Sequence, residues 1–262
     1  MEAIKIRDAI NSDKFFILNF CKDTFSWGDY IQDVWEYWLS EGNLLLIEKQ
    51  SPVGMCHAFF SKNQVWIEGI RINPNFHRRG LASKLVKHIE LLAKEKQIPF
   101  SFMLIDTENS PSFLMAKCLN YQIFQTWNFY SLLPKVNNNH KIQFFNAINN
   151  VKIHHYVKSW RWLVLDEETL VSLSKQNKII FSDTSGDVSI AILTDSEHFD
   201  KTLIVTLFSG SQDNTLDVLS HIQNYGAEKN YQKIQILTKE KLPLLNTLEH
   251  KITFNLMKKF LY

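Results

Sequence analysis

Three observations predict an α/β fold in two parts. Short apolar runs of strand length alternate with amphipathic helical stretches along the whole chain. One strand, Val65 to Ile72, runs through Asn73-Pro74-Asn75 into a long helix from Leu81 to Lys96. A polar stretch from Pro134 to Asn150, including Asn137-Asn138-Asn139, reads as a linker and places the division near residue 140. The expected domains are therefore 1–135 and 141–262.

Each element has a local reason. Ile4 and Ile6 alternate with Lys5 and Arg7 in a first strand, and Asn11-Ser12-Asp13 supplies a helix start before Phe15, Phe16 and Phe20. An aromatic and acidic stretch from Trp27 to Leu39 holds a loop and a second helix that ends near Gly42-Asn43. Leu44–Glu48 and Met55–Phe60 are strands joined by Ser51-Pro52-Val53-Gly54. In Leu81–Lys96 the apolar residues Leu81, Leu85, Ile89 and Leu92 recur at helical spacing, with Lys84, Lys87 and Lys94 outward. A strand at Phe100–Ile105, a helix at Asn109–Leu119 and one or two strands over Tyr121–Leu133 complete the first half. The second half reads as strand 160–165, helix 167–176, strands 179–182, 188–193 and 203–208, helix 216–229, strand 233–237 and helix 242–250. That order resembles the first half and predicts a structural repeat in pattern, without residue identity.

The chain has 262 residues, 45% of them apolar and 21% charged, with a formal charge of only +2. This is the composition of a globular protein, and it argues against a nucleic-acid coat or a membrane-surface binder. Cys21, Cys56 and Cys118 form no CxxC pair, so a reducing setting is expected rather than a disulfide framework. No signal-peptide pattern opens the chain and no apolar run reaches the ~20 residues of a membrane helix. A soluble, cytoplasmic protein is expected.

The chemistry concentrates at Ile70-Arg71-Ile72-Asn73-Pro74-Asn75-Phe76-His77-Arg78-Arg79-Gly80-Leu81-Ala82-Ser83. A helix start presents amide hydrogens without intrahelical partners at the positive end of its dipole, which is a site for a phosphate. Gly80 admits close approach of the anion, Ala82 keeps the first turn slim, and Arg78 and Arg79 add charge at the rim.

This segment resembles motif A of the GCN5-related N-acetyltransferase (GNAT) superfamily, Arg/Gln-X-X-Gly-X-Gly/Ala, here His77-Arg78-Arg79-Gly80-Leu81-Ala82. By the order of its elements the resemblance extends over roughly residues 1–134. It implies a mixed, mostly antiparallel twisted sheet flanked by helices, and acetyl-CoA as co-substrate. Carried over, the amides from Arg78 to Ser83 would hold the CoA pyrophosphate, and Ile70, Arg71 and Ile72 on the preceding strand would meet the pantetheine arm. Asn109 matches a CoA-contacting position. His77 departs from the usual Arg or Gln, and Ala116 stands where the family carries the Tyr that protonates the leaving thiolate. For that acid Tyr121, Tyr130 and Cys118 are available, with no choice among them.

Glu68 is the candidate general base. Strict alternation would place it on one face with Ile70 and Ile72, among apolar neighbours that desolvate it. A backbone N–H near Ile70 would stabilise the developing oxyanion. In the superfamily the segment between the first two helices lines the acceptor site; here it carries Trp27, Asp29, Tyr30 and Trp35. Aromatic faces with carboxylates suit a cationic amine, although the same aromatics could equally pack a short helix onto the core. Asp29-Tyr30, Trp35, Trp38-Leu39 and Glu68-Gly69-Ile70-Arg71-Ile72 also resemble, over a short span, the vertebrate histidine N-acetyltransferase group.

In the second half the equivalent turn is Ser209-Gly210-Ser211-Gln212-Asp213-Asn214-Thr215, without Arg and with Asp213 where a phosphate would be repelled. A degenerate α/β repeat without a CoA site is expected, one that shapes the acceptor cleft or forms a homodimer interface. His154-His155 lacks the further ligands of a metal site, and no metal is expected. The expected function is acetyl transfer to the amine of a small molecule or amino acid. The alternatives are a protein or peptide N-acetyltransferase and a non-catalytic acetyl-CoA sensor.

Overall fold

The computed structural model describes residues 4–22, 24, 29–138, 140–144 and 153–262, so Trp27 lies outside the described residues. The chain divides into two compact units, residues 1–125 with 255–262 and residues 126–254. The division differs from the linker expected at 134–150. It falls inside the strand β6 (Gln122–Leu132). A polar stretch marks exposed backbone, whereas unit membership follows from which core each part of a strand joins.

The first unit is built on β1 (Lys5–Asp8), β2 (Leu44–Glu48), β3 (Pro52–Phe60), β4 (Gln64–Ile72) and β5 (Phe100–Asp106), adjacent in that order. β1 to β4 pair antiparallel, and β4 and β5 pair parallel. A parallel pair needs a crossover, and α3 (Leu81–Glu95) provides it. The end of the chain, within β14 (Leu248–Phe260), follows β5 in the strand order.

The apolar stripe of α3 buries Leu81, Leu85, Val86, Ile89 and Ala93 against Leu45, Ile47, Cys56, Ala58, Val65 and Ile67. Each Leu, Ile and Val among them contributes about 1.5–3 kcal/mol through its removal from water. α4 (Ser110–Cys118) adds Ala116 to the same core. α1 (Lys14–Cys21) and α2 (Ile31–Glu41) bury Ile17, Cys21, Val34, Trp35 and Trp38. α2 ends as its sequence predicts, with Gly42 at φ 88°. Arg7 ties the first strand to its surroundings, donating to Asp13 at 2.7 and 2.9 Å and to Glu48 at 2.8 Å.

The second unit contains β7 (Gln143–Phe144), the hairpin of β8 (His155–Lys158) and β9 (Arg161–Val164), α5 (Glu167–Lys175), β10 (Ile179–Ser182), β11 (Ser189–Asp195), β12 (Thr202–Phe208), α6 (Gln212–Glu228) and β13 (Lys233–Thr238). Its strands order as β6-β13-β12-β11-β10-β7, and β12 and β13 pair parallel across α6. This strand–helix–strand unit repeats β4–α3–β5, as the order of elements predicts.

The repeat fails where the sequence predicted a helix over 242–250. Those residues begin without regular structure and then enter β14, a strand of 13 residues. Pro243 disfavours helical backbone at Leu242. Beyond it Ile252, Phe254 and Leu256 alternate with Lys251, Thr253 and Asn255, which is the period of a strand. Among the described residues no helix is long and apolar enough to cross a membrane.

Candidate active site

The turn between β4 and α3 is open. α3 has no side-chain cap, and its first internal bond runs from the Lys84 N–H to the Gly80 carbonyl at 3.1 Å. The amides of Leu81, Ala82 and Ser83 precede that bond and point out of the helix start. Gly80 adopts φ 71°, and a Cβ built there meets nothing within 4 Å. The cradle therefore has both the left-handed backbone that favours glycine and empty space above it. His77 donates from Nε2 to the Ile72 carbonyl at 2.8 Å and so holds the turn to the end of β4. Arg79 bonds the Asn75 carbonyl at 3.2 Å and lies over Phe76. Arg78 is exposed and itself left-handed, at φ 59°.

β4 carries a bulge that overturns the expected face assignment. Glu68 stands opposite His57 and Arg71 opposite Met55, so three steps along β4 match two along β3. The extra residue lies at Gly69, whose φ is +64°. Glu68 and Arg71 consequently share a face, while Ile70 and Ile72 turn to the core under α3. Strict alternation predicted Glu68 with Ile70 and Ile72; a single inserted residue reverses that. The β4–β5 ladder covers Gln64–Trp66 and Phe100–Phe102 and stops before Glu68.

On the Glu68 face the structure assembles a network that the sequence did not reveal. The Nδ1 of the fully buried His57 lies 2.9 Å from Glu68 Oε1. Its Nε2 lies 3.0 Å from the Gly42 carbonyl and 3.4 Å from Glu41 Oε2. The Trp38 ring stacks on the imidazole at 4.8 Å and 2°. Glu41, His57 and Glu68 have their donor atoms within 4.8 Å of one another. Both imidazole nitrogens are already engaged with protein acceptors, so the arrangement is a hydrogen-bonded network.

Next to it Arg71 grips Asp29 in a two-point contact, Nε to Oδ2 at 2.6 Å and Nη2 to Oδ1 at 3.0 Å. Asp29 also accepts from the Ile31 N–H at 3.1 Å and thereby starts α2. The guanidinium lies 5.2 Å from the Tyr30 ring centre. Burial pushes the Tyr30 phenol upward; Arg71 pulls it back, and Glu68 and Asp29 add to the rise. Burial, aided by Asp29, likewise lifts the Cys21 thiol to about 12. The structure thus brings Asp29, Tyr30, Glu68 and Arg71 together. Trp35, expected at the acceptor site, is 0% exposed and packs α2 into the core; a side chain with no accessible surface touches no acceptor.

The remaining candidates scatter. Asn109 caps α4, its side-chain oxygen accepting from the Ser112 N–H at 3.1 Å. Ala116 is fully buried in the α3 core. Tyr121 is buried there too, its hydroxyl 2.6 Å from Ser101 Oγ, and burial pushes its phenol well above the usual range. Cys118 is exposed at the end of α4. Tyr130, in the second unit, accepts from the Leu242 N–H at 3.2 Å.

The corresponding turn of the second unit is closed by its own chain. Ser211 caps α6 by accepting from the Asn214 N–H, and the Gly210 N–H bonds Ser189 Oγ at 2.9 Å. A Cβ at Gly210 would lie 2.2 Å from the Asp187 carbonyl oxygen. Where Gly80 opens onto free space, Gly210 is pressed against backbone.

The acetyltransferase (GNAT) family model matches residues 10–121, a span that contains the open turn and Glu68. It reaches the family and not the narrower histidine N-acetyltransferase group. No curated protein matches the chain. Among solved structures, a Thermoplasma acidophilum protein assigned as an acetyltransferase superposes with a TM-score of 0.67 at 14% identity, over 98% of this chain and 99% of that one. A GCN5-related N-acetyltransferase from Sphaerobacter thermophilus gives 0.62 at 9% identity, over 98% and 96%. One from Anabaena variabilis gives 0.51 at 12% identity, over 99% and 73%. At such identities the likeness carries the fold and leaves the substrate to the site. The strand–turn–helix geometry and the family match agree on the same segment: residues 10–121 match the acetyltransferase (GNAT) family.

Proposed function

We propose that the first unit transfers an acetyl group from acetyl-CoA directly to the amine of a small molecule or amino acid, with Glu68 as general base. The observation that carries this reading is the uncapped start of α3, open above Gly80, adjoining a strand that holds a half-buried carboxylate. Amides from Gly80 to Ser83 bind the pyrophosphate, assisted by Arg78 and Arg79. Beyond Trp66, where its ladder with β5 ends, β4 offers backbone to the pantetheine arm. Ile70 supplies its N–H to the polarised carbonyl oxygen.

Glu68 removes the proton from the acceptor amine, leaving a lone pair for attack on the thioester; the C–N bond forms, the C–S bond breaks, and CoA departs as its thiolate and is protonated by water. Arg71, fixed by Asp29 and flanked by Tyr30, adds a cation on the same face of β4 as Glu68. A carboxylate and a guanidinium side by side suit an acceptor with both an ammonium and a carboxylate, as in an amino acid. The second unit takes no part in CoA binding, in keeping with its closed turn. One observation favours a second reading, an acetyl-CoA sensor: the family's acid position is occupied by the buried Ala116.

The test is release of free CoA from acetyl-CoA in the presence of pools of amino acids, polyamines or peptides. Turnover with amino acids supports the proposal, and turnover with peptides alone replaces the acceptor class. Stabilisation by acetyl-CoA without turnover in any pool favours the sensor.

A further inference from the structure

His57 lies in the middle of β3, fully buried, and its ring faces acceptors at both nitrogens. A neutral imidazole has one N–H donor and one bare nitrogen that can only accept. The Gly42 carbonyl at 3.0 Å from Nε2 can only accept, so Nε2 carries a hydrogen. Glu41 Oε2 lies 3.4 Å from the same nitrogen. That commitment fixes the other side of the ring. The 2.9 Å contact between Nδ1 and Glu68 Oε1 must itself contain a proton, because two bare acceptors would repel at that distance.

Two arrangements satisfy this count. Either the imidazole is doubly protonated beside a Glu68 carboxylate, or it is neutral beside a protonated Glu68. The surroundings choose between them. Glu41 from α2 places a second carboxylate near the ring, and the Trp38 indole lies flat against it at 4.8 Å. Both favour a cation, the indole through its negative face. Burial opposes any charge, but the cation with its adjacent carboxylate is a paired charge. Among the described residues, the groups in contact with the ring are Glu68 from β4, and Glu41, the Gly42 carbonyl and Trp38 from the end of α2.

We propose that His57 is held as an imidazolium and is the positioning residue of Glu68, keeping that carboxylate ionised and fixed in place. The inference rests on Glu68 being the general base. His57 itself touches no substrate; it acts through Glu68. As the acceptor amine loses its proton, Glu68 gains it, and the imidazolium stays protonated throughout. The proton then leaves Glu68 for water, which restores the ionised pair.

The direct experiment is nitrogen-15 NMR of the full chain with labelled histidine at neutral pH. The His57 resonances are assigned by their loss in His57→Gln and their perturbation in Glu68→Gln. The expected result is that both ring nitrogens of His57 are protonated. A bare Nδ1 overturns the proposal, whatever the activity measurements give.

The kinetic counterpart is the pH profile of kcat/KM. In His57→Gln the carboxylate loses the imidazolium while Arg71 remains on its face of β4, so the acid limb moves up. kcat falls at least about tenfold, and acetyl-CoA affinity stays within twofold. An unmoved limb with a folded variant overturns the positioning role. Undiminished turnover in Glu68→Gln removes the general-base reading, while the NMR result still decides the protonation of His57.

Discussion

A methyl group on Gly69 would sit 2.5 Å from two ring carbons of Trp38, so the bulge of β4 and the indole of α2 leave each other no spare room. The same glycine takes a left-handed φ of +64°, which an L side chain adopts at a cost. Gly69→Ala therefore meets two penalties, overpacking and backbone strain, and is expected to lose about 2–3 kcal/mol in urea unfolding. Gly80→Ala is the informative comparison. Its φ of +71° is similar but its Cβ meets nothing within 4 Å, so only the backbone penalty of about 1 kcal/mol remains.

Replacing Glu68 by Gln keeps the shape and one acceptor oxygen for His57 while removing the charge. Turnover should fall by about 10²–10⁴, the usual worth of a positioned base. Binding of acetyl-CoA, measured by calorimetry, should stay within twofold. Loss of binding alongside turnover would assign Glu68 a structural role.

The open turn makes a sharper prediction than alanine can. Gly80→Asp introduces a carboxylate at the positive end of α3, where a pyrophosphate would lie. Affinity for acetyl-CoA should drop by at least about tenfold, from repulsion between like charges. The circular-dichroism spectrum should be unchanged. An equivalent substitution at Ser211, in the closed turn, should leave acetyl-CoA affinity unaltered.

His221 predicts how the second unit responds to acid. Burial, reinforced by His140, lowers its imidazole from 6.5 to about 4. The unfolded chain therefore binds more protons than the folded one between these values. Stability is retained above the unfolded value, is lost as pH falls from about 6.5 toward 4, and levels off below. The loss is on the order of 1–3 kcal/mol. His221→Phe, beside Phe144 and Tyr225, should flatten that part of the stability–pH curve in urea titrations. An unchanged slope would place the acid sensitivity elsewhere.

Glu68 was legible in the sequence because a carboxylate inside an apolar strand is rare, but its partners were not. His57 lies 11 residues earlier in a nearly continuous apolar run, where a buried histidine leaves no periodic mark. The available signal was Gly69, since an isolated glycine in a strand often marks a bulge. Strict alternation places Arg71 opposite Glu68 unless a bulge intervenes, and the bulge at Gly69 puts the two on one face. Trp35 was read as an acceptor contact because aromatic and acidic composition looks alike in a binding loop and in a buried helix. The division of the chain was misplaced for a related reason: polarity locates exposed backbone, and here a strand carries the chain between units.

What the sequence alone determined is local. The strand, the Pro74 turn, the left-handed Gly80 and the amphipathic α3 are each dictated by residues within a few positions of one another, and together they fix an open, uncapped helix start. Only the tertiary structure decided which residues meet. The pairing of His57 with Glu68, the clasp of Arg71 on Asp29 and the return of residues 255–262 to the first unit join parts far apart in the chain. Such contacts depend on strand register, and in a strand one extra residue turns every following side chain to the opposite face.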